Sequence, residues 1–107
     1  MTKTTAAVLV ACVLLSGCAK KSANIEPAAI STSKYSTWSC TQLKREKSFT
    51  DTALIRKSSA QDKAAQNDAV MVFLIGVPTS GGGIPGEVAR LKGEQEAIRK
   101  AMIMKRC

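Results

Sequence analysis

The residues with the most chemical potential in this chain of 107 amino acids are its four cysteines, Cys12, Cys18, Cys40 and Cys107. A thiol acts as a nucleophile, binds a metal or forms a disulfide, depending on its neighbours and its compartment. The chain contains no histidine, and its eight acidic residues are scattered. No motif places a base beside Cys40 or Cys107, so the sequence indicates no catalytic residue, no metal site and no enzyme.

The segment before Cys18 has the three parts of a secretory signal. Lys3 supplies the positive end, residues 6–15 form an apolar run, and Ser16 and Gly17 are the small residues before a cleavage point. The apolar run is too short for a membrane-spanning helix, which needs about 20 residues. We therefore predict a signal peptide over residues 1–17 and no transmembrane segment in its place in the mature protein.

The motif Leu15-Ser16-Gly17-Cys18 resembles the lipobox of bacterial lipoproteins. The resemblance implies that the Cys18 thiol receives a diacylglycerol and that cleavage makes Cys18 the first residue of the mature chain. The alternative is an ordinary signal peptide with a coincidental cysteine. In lipoprotein families an aspartate after the modified cysteine often marks retention at the inner membrane, whereas Ala19 follows here. The resemblance thus implies an anchor in the outer membrane rather than the inner one, with the protein facing the periplasm.

The expected mature chain is strongly basic. Residues 18–107 keep fifteen of the sixteen basic residues and all eight acidic ones, which gives a net charge of +7. Such a charge favours anionic partners, which in the envelope are lipid head groups, lipopolysaccharide or cell-wall polymer. The alternative is that the lysines and arginines only solvate the outer faces of helices. A secreted chain with 4% aromatic residues is not typical of nucleic-acid binding, and nothing indicates a small-molecule substrate.

Residues 18–38 are polar and small, with Pro27 and no apolar period. Such a segment buries too little surface to offset the entropy of ordering, so we predict a flexible tether. Tyr35 and Trp38 lie near its end. We expect these two rings to pack on the helix that follows rather than to bind a ligand.

The folded part, residues 39–107, begins with a long helix predicted over about 41–75. Ser39 is a plausible N-cap, and neither glycine nor proline occurs between Thr41 and Ala69. The apolar seam of this helix is thin, and Lys47, Lys57 and Asp68 interrupt it. Its members recur at three- and four-residue spacings: Leu43, Thr50, Leu54, Gln61, Ala64 and Met71.

The most apolar part of the expected mature chain is residues 69–77, which we predict to continue the helix to about Ile75. Periodicity alone does not separate helix from strand in so short a run. One interpretation is that the run packs as core against the second helix. The other is that its tip contacts a membrane or the groove of a partner. The candidate contact residues are Val70, Val72, Phe73, Leu74 and Ile75.

Residues 76–86 read as a loop because of their glycine and proline content. Gly81, Gly83 and Gly86 match the spacing of a dinucleotide-binding motif. That motif requires a βαβ unit and an acidic residue about 20 positions later, where this chain has Lys105 and Arg106. We therefore predict no cofactor.

A second helix is predicted over about 87–106, with the alternating three- and four-residue spacing of a two-helix contact. This seam consists of Ile84, Val88, Leu91, Gln95, Ile98 and Met102. Once Cys12 is removed with the signal and Cys18 carries lipid, Cys40 and Cys107 remain, and such thiols usually pair in an oxidising compartment. An antiparallel hairpin brings them to one end, so we predict an all-α hairpin closed by this disulfide. The alternative is two free or intermolecularly bonded thiols.

Three motifs resemble a group of small proteobacterial envelope lipoproteins of unassigned function: Cys40-Thr41-Gln42-Leu43, Ala89-Arg90-Leu91-Lys92-Gly93-Glu94 and the terminal Lys105-Arg106-Cys107. The resemblance implies a lipoprotein and supplies no activity. We expect a non-enzymatic, structural or accessory envelope lipoprotein that binds another envelope component through its helices. The alternatives are a membrane-active protein of the lysis or toxicity type and a lipoprotein of a secretion or conjugation apparatus.

Overall fold

A computed structural model describes residues 18–107 of the chain. The predicted signal peptide, residues 1–17, lies outside the described residues. Two short 3₁₀ turns, Ser22–Asn24 and Thr32–Tyr35, precede two long helices, α1 (Cys40–Ile75) and α2 (Pro85–Met104). The described residues contain no strand and form an elongated body of 62 × 29 × 14 Å. The predicted all-α hairpin is therefore confirmed.

Helix α1 begins directly after Ser39, which caps it. The Ser39 hydroxyl accepts a hydrogen bond from the Gln42 N–H at 3.2 Å, and the Gln42 side chain accepts one from the Ser39 N–H at 2.8 Å. This reciprocal capping box satisfies two amide groups that the helix itself leaves unpaired. The helix ends at Ile75. The following Gly76 still donates its N–H to the Val72 carbonyl, and its left-handed φ of 79° turns the chain out of the helix.

Helix α2 begins at Pro85, two residues before the predicted start. Proline suits a first helical position because its φ is already helical and its missing N–H would be unpaired there. After the helix, Arg106 adopts a φ of 55°, and the Cys107 N–H bonds the Met102 carbonyl at 2.9 Å. This reversal directs the C-terminal cysteine back toward the start of α1.

The predicted disulfide between Cys40 and Cys107 is confirmed, with the two Cα atoms 5.7 Å apart. It joins the first residue of α1 to the end of the described chain. Next to it lies the main apolar cluster, which joins both helices and the second 3₁₀ turn: Tyr35, Leu43, Ala97, Ile98 and Ala101.

The predicted seam of α2 is confirmed at Val88, Leu91 and Ile98, which are buried, while Gln95 is half-buried. Tyr35 is fully buried, and the Trp38 ring meets it edge to face at 5.0 Å between centroids. The two rings therefore take the packing role that we expected.

The structure corrects the prediction for residues 18–38, which are not a free tether. This N-terminal segment lies along the hairpin, with Ser22, Ile25 and Tyr35 buried. The Ala28 N–H donates to the Ala89 carbonyl of α2 at 2.8 Å. The segment is ordered by polar contacts to both helices rather than by a long apolar face, so its composition did not indicate its packing.

No helix within residues 18–107 combines the length and the apolar character needed to cross a membrane. Helix α1 has 36 residues and α2 has 20. At 1.5 Å per residue their lengths are about 54 and 30 Å, so one end of α1 extends beyond α2.

Candidate functional site

The most prominent surface feature is the C-terminal end of α1 with the residue pair that follows it, residues 69–77, which we call the apolar tip. Phe73 is 89% exposed, Leu74 65% and Ile75 58%. Val70, Val72 and Val77 are exposed as well. The interpretation that this run forms core against the second helix is therefore wrong, and the candidate contact residues all lie at the surface.

The apolar tip projects beyond the rest of the hairpin because the connecting loop folds back onto α1 at Asp68. The N–H groups of Thr79 and Ser80 donate to the Asp68 carboxylate at 3.1 and 2.8 Å. The loop thus returns to α1 seven residues before Ile75, a distance of about 10 Å along the helix. The last two turns of α1 consequently have no helix beside them.

Asp68 is the centre of a polar cluster below the apolar tip. Besides the two loop amides, it accepts hydrogen bonds from the Ser80 hydroxyl and, at 2.8 Å, from the Ala19 N–H. These donors, first the Ser80 hydroxyl and then the Ala19 amide, lower the pKa of Asp68 from 3.8 to about 2. One buried carboxylate therefore fastens both the loop and the start of the described chain to α1.

Gln61, two helical turns before Asp68 in α1, binds the same two segments, the start of the described chain and the loop between the helices. Its fully buried amide donates to the Lys20 carbonyl at 2.7 Å and to the Gly82 carbonyl at 3.1 Å. The amide oxygen accepts the Ile84 N–H at 2.6 Å. Gly83 has a φ of +72°, and a Cβ there would lie 2.4 Å from the Gln61 side-chain oxygen. Glycine at position 83 thus permits the close approach of the loop to Gln61.

A third set of contacts holds the first 3₁₀ turn. Asp62 accepts hydrogen bonds from the Ser22 N–H at 2.7 Å and from the Ser22 hydroxyl at 2.9 Å, and these bonds lower the pKa of Asp62. From α2, the Lys92 ammonium donates to the carbonyls of Ser22 at 2.6 Å and Ile25 at 2.8 Å. Side chains of both helices therefore hold the N-terminal segment by hydrogen bonds.

The contacts of Ala19 decide where Cys18 lies. Cys18 is exposed, its thiol is free, and its neighbour Ala19 is bound to Asp68 at the base of the apolar tip. Cys40 and Cys107 lie at the opposite end of α1, 28 residues or about 42 Å from Asp68. The structure thus brings the predicted lipidation residue close to the predicted contact residues and separates both from the disulfide.

Sequence reasoning missed the side chains that create this arrangement, namely Gln61, Asp62, Asp68 and Lys92. A signal was present, because Gln61 and Asp68 stand on the seam of α1 that faces the rest of the molecule. A polar group on a buried seam needs a hydrogen-bond partner. The serine- and glycine-rich loop offers such partners through its backbone amides.

A second exposed apolar surface lies on the outer side of α1. Phe49 is 72% exposed there, in a shallow depression flanked by Arg45 and Arg56. No group of three or more histidine, cysteine, aspartate or glutamate side chains suited to a metal occurs within residues 18–107. The depression around Phe49 thus combines an exposed aromatic ring with basic side chains.

Comparison of the chain with protein families, with curated proteins and with solved structures finds no match.

Proposed function

We propose that the protein is a lipid-anchored, non-enzymatic accessory component of the bacterial cell envelope, held in the outer membrane through Cys18 and facing the periplasm. The proposal rests mainly on the 2.8 Å hydrogen bond from the Ala19 N–H to the Asp68 carboxylate, which places Cys18 at the base of the apolar tip. A lipid on the exposed Cys18 thiol would attach beside the exposed apolar tip. Anchor and apolar tip would then point toward the same membrane.

In this proposal the hairpin presents its helical faces to another envelope protein or to an anionic envelope polymer. The outer side of α1 is the surface that we assign to this contact, because Phe49 is exposed between Arg45 and Arg56. An aromatic ring flanked by guanidinium groups is a typical composition of a binding hot spot. The net charge of +7 on residues 18–107 favours an anionic partner.

Photo-crosslinking in intact cells tests this role. A photoreactive amino acid in place of Phe49 should capture a defined envelope component, whereas the same group in place of Ser59, exposed on the same helix, should capture little. Equal products from both positions, or envelope complexes that are identical in a deletion strain and the wild type, would contradict the accessory role.

The second candidate is a membrane-active protein, and the exposed apolar tip together with the positive charge favours it. In that case overexpression makes the envelope leak, and the leakage disappears with Phe73→Asp. The matched control is Phe49→Asp, which adds the same charge to another exposed phenylalanine of the same helix. Leakage that persists in the Phe73→Asp variant excludes this candidate.

A further inference from the structure

The apolar tip and the loop that follows it carry no charged side chain. No charged side chain occurs from residue 69 to residue 86, the longest uncharged stretch of residues 18–107. Within it, Phe73, Leu74 and Ile75 are largely exposed to solvent. Exposed apolar side chains in a contiguous patch mark a surface that is covered in its working environment.

Three lysines lie behind this uncharged end. Lys20, Lys21 and Lys63 are all exposed, and none forms an ion pair with another residue of the described chain. We call these three lysines the basic collar. Because Gln61 binds the Lys20 carbonyl, the basic collar lies about 20 Å along α1 from Ile75. Asp62, next to these lysines, and Asp68, about two helical turns closer to the apolar tip, accept hydrogen bonds from backbone and hydroxyl donors.

The dimensions match those of a membrane interface. Interfacial helices bury their apolar side chains about 5–10 Å into the boundary between head groups and acyl chains. The apolar tip extends about 10 Å beyond Asp68, and the chain at Ala19 is bound to Asp68. If the apolar tip is inserted to that depth, Cys18 lies at the level where a diacylglycerol enters the bilayer. The basic collar then lies about 10 Å above the surface, which is about one Debye length from the anionic head groups.

We infer that the apolar tip inserts into the lipid surface of the membrane that anchors the protein, as a second attachment point beside Cys18. The occupant of the apolar surface is thus lipid, and the inference rests on the proposed lipid anchor. Two attachment points fix the direction of the hairpin, whereas a lipid chain alone leaves it free to swivel. Helix α1 then leads away from the membrane and carries the Cys40–Cys107 disulfide about 40 Å from it.

Depth-dependent fluorescence quenching tests the insertion with the full-length protein purified from membranes. Trp38 is the only tryptophan, so Trp38→Phe gives a silent background in which Phe73→Trp and Phe49→Trp each introduce one reporter. Both positions are exposed, so neither change disturbs the core. The variants are reconstituted in vesicles of phosphatidylethanolamine and phosphatidylglycerol, with or without bromine on the acyl chains.

The inference predicts blue-shifted emission for Phe73→Trp and quenching of roughly twofold or more by the brominated lipid, as for a side chain below the head groups. Phe49→Trp, about 36 Å away along α1, should show neither effect. Unshifted emission for Phe73→Trp would overturn the inference. So would blue-shifted emission that bromine does not quench, because the apolar tip would then be covered by protein.

The intact mass of the same samples reports separately whether Cys18 carries lipid. Quenching of Phe73→Trp in a protein without lipid would support the insertion and contradict the proposed anchor. A lipid-bearing protein whose Phe73→Trp reporter stays in water would contradict the insertion alone.

Discussion

The Ala19 amide donates a hydrogen bond to the Asp68 carboxylate at 2.8 Å, across 49 residues of sequence. Because the same carboxylate binds the amides of Thr79 and Ser80, three distant segments of the chain meet at one buried group. The position of Cys18 therefore depends on the loop between the helices as well as on the N-terminal segment.

Acid should loosen this junction. The folded pKa of Asp68 is about 2, below the ordinary 3.8, so the folded protein binds fewer protons there than the unfolded one. The stabilisation from Asp68 is then fully present above about pH 4 and is lost as the pH falls from about 4 to about 2. Urea unfolding measured across this range should show the midpoint falling with pH.

The Asp68→Asn variant separates this group from the other carboxylates. Asp51, Asp62 and Glu87 also have lowered pKa values, so the variant should keep part of the acid dependence. It should be less stable than the wild type at pH 7, with the difference shrinking toward pH 2. Parallel curves for the two proteins would show that the Asp68 charge does not hold the junction.

At Gly93, the N-terminal segment packs closely against the backbone of α2. A Cβ at Gly93 would lie 2.1 Å from the Ala28 carbonyl oxygen, a backbone atom that cannot turn away. We expect Gly93→Ala to lower the free energy of unfolding by about 1–3 kcal/mol through overpacking. Trypsin should cleave more rapidly at Lys20, Lys21 and Lys34, because the segment is displaced.

Gly86→Ala is the matched control on the same helix. A Cβ at Gly86 would meet no atom within 4 Å, and alanine favours a helix over glycine by up to about 1 kcal/mol. This variant should be as stable as the wild type or slightly more so. If both variants behave alike, the close approach at Gly93 does not position the segment.

The disulfide should account for a large share of the stability. Cys40 and Cys107 are separated by 67 positions, and closing so long a loop stabilises the fold by about 4 kcal/mol in the chain-entropy model. The Cys40→Ala and Cys107→Ala double variant should lose about that amount in urea unfolding at neutral pH. Reduced wild-type protein should match the variant, and a loss below about 1 kcal/mol would contradict this role.

The hairpin could be predicted because its signals are local and periodic. Ser39 is a capping residue by type, the spacing of Val88, Leu91 and Ile98 is helical, and two cysteines stand at matching ends. The start of α2 shifted by only two residues because the prediction did not weigh Pro85 as a first helical position.

The packing of residues 18–38 could not be predicted in the same way. The segment has few apolar residues, and most of the contacts that order it run between its backbone and side chains 40 to 70 positions away, such as Asp62 and Lys92. No periodicity records such pairings. The exposure of the apolar tip was also undetermined, because it depends on Asp68 binding the loop early.

The most direct test of the lipid-anchored hairpin is the intact mass of the protein purified from membranes and alkylated with and without prior reduction. We expect the mass of residues 18–107 plus acyl groups, with two further alkylated thiols only after reduction. A mass without acyl groups would contradict the anchor at Cys18, and thiols that react before reduction would contradict the closed hairpin.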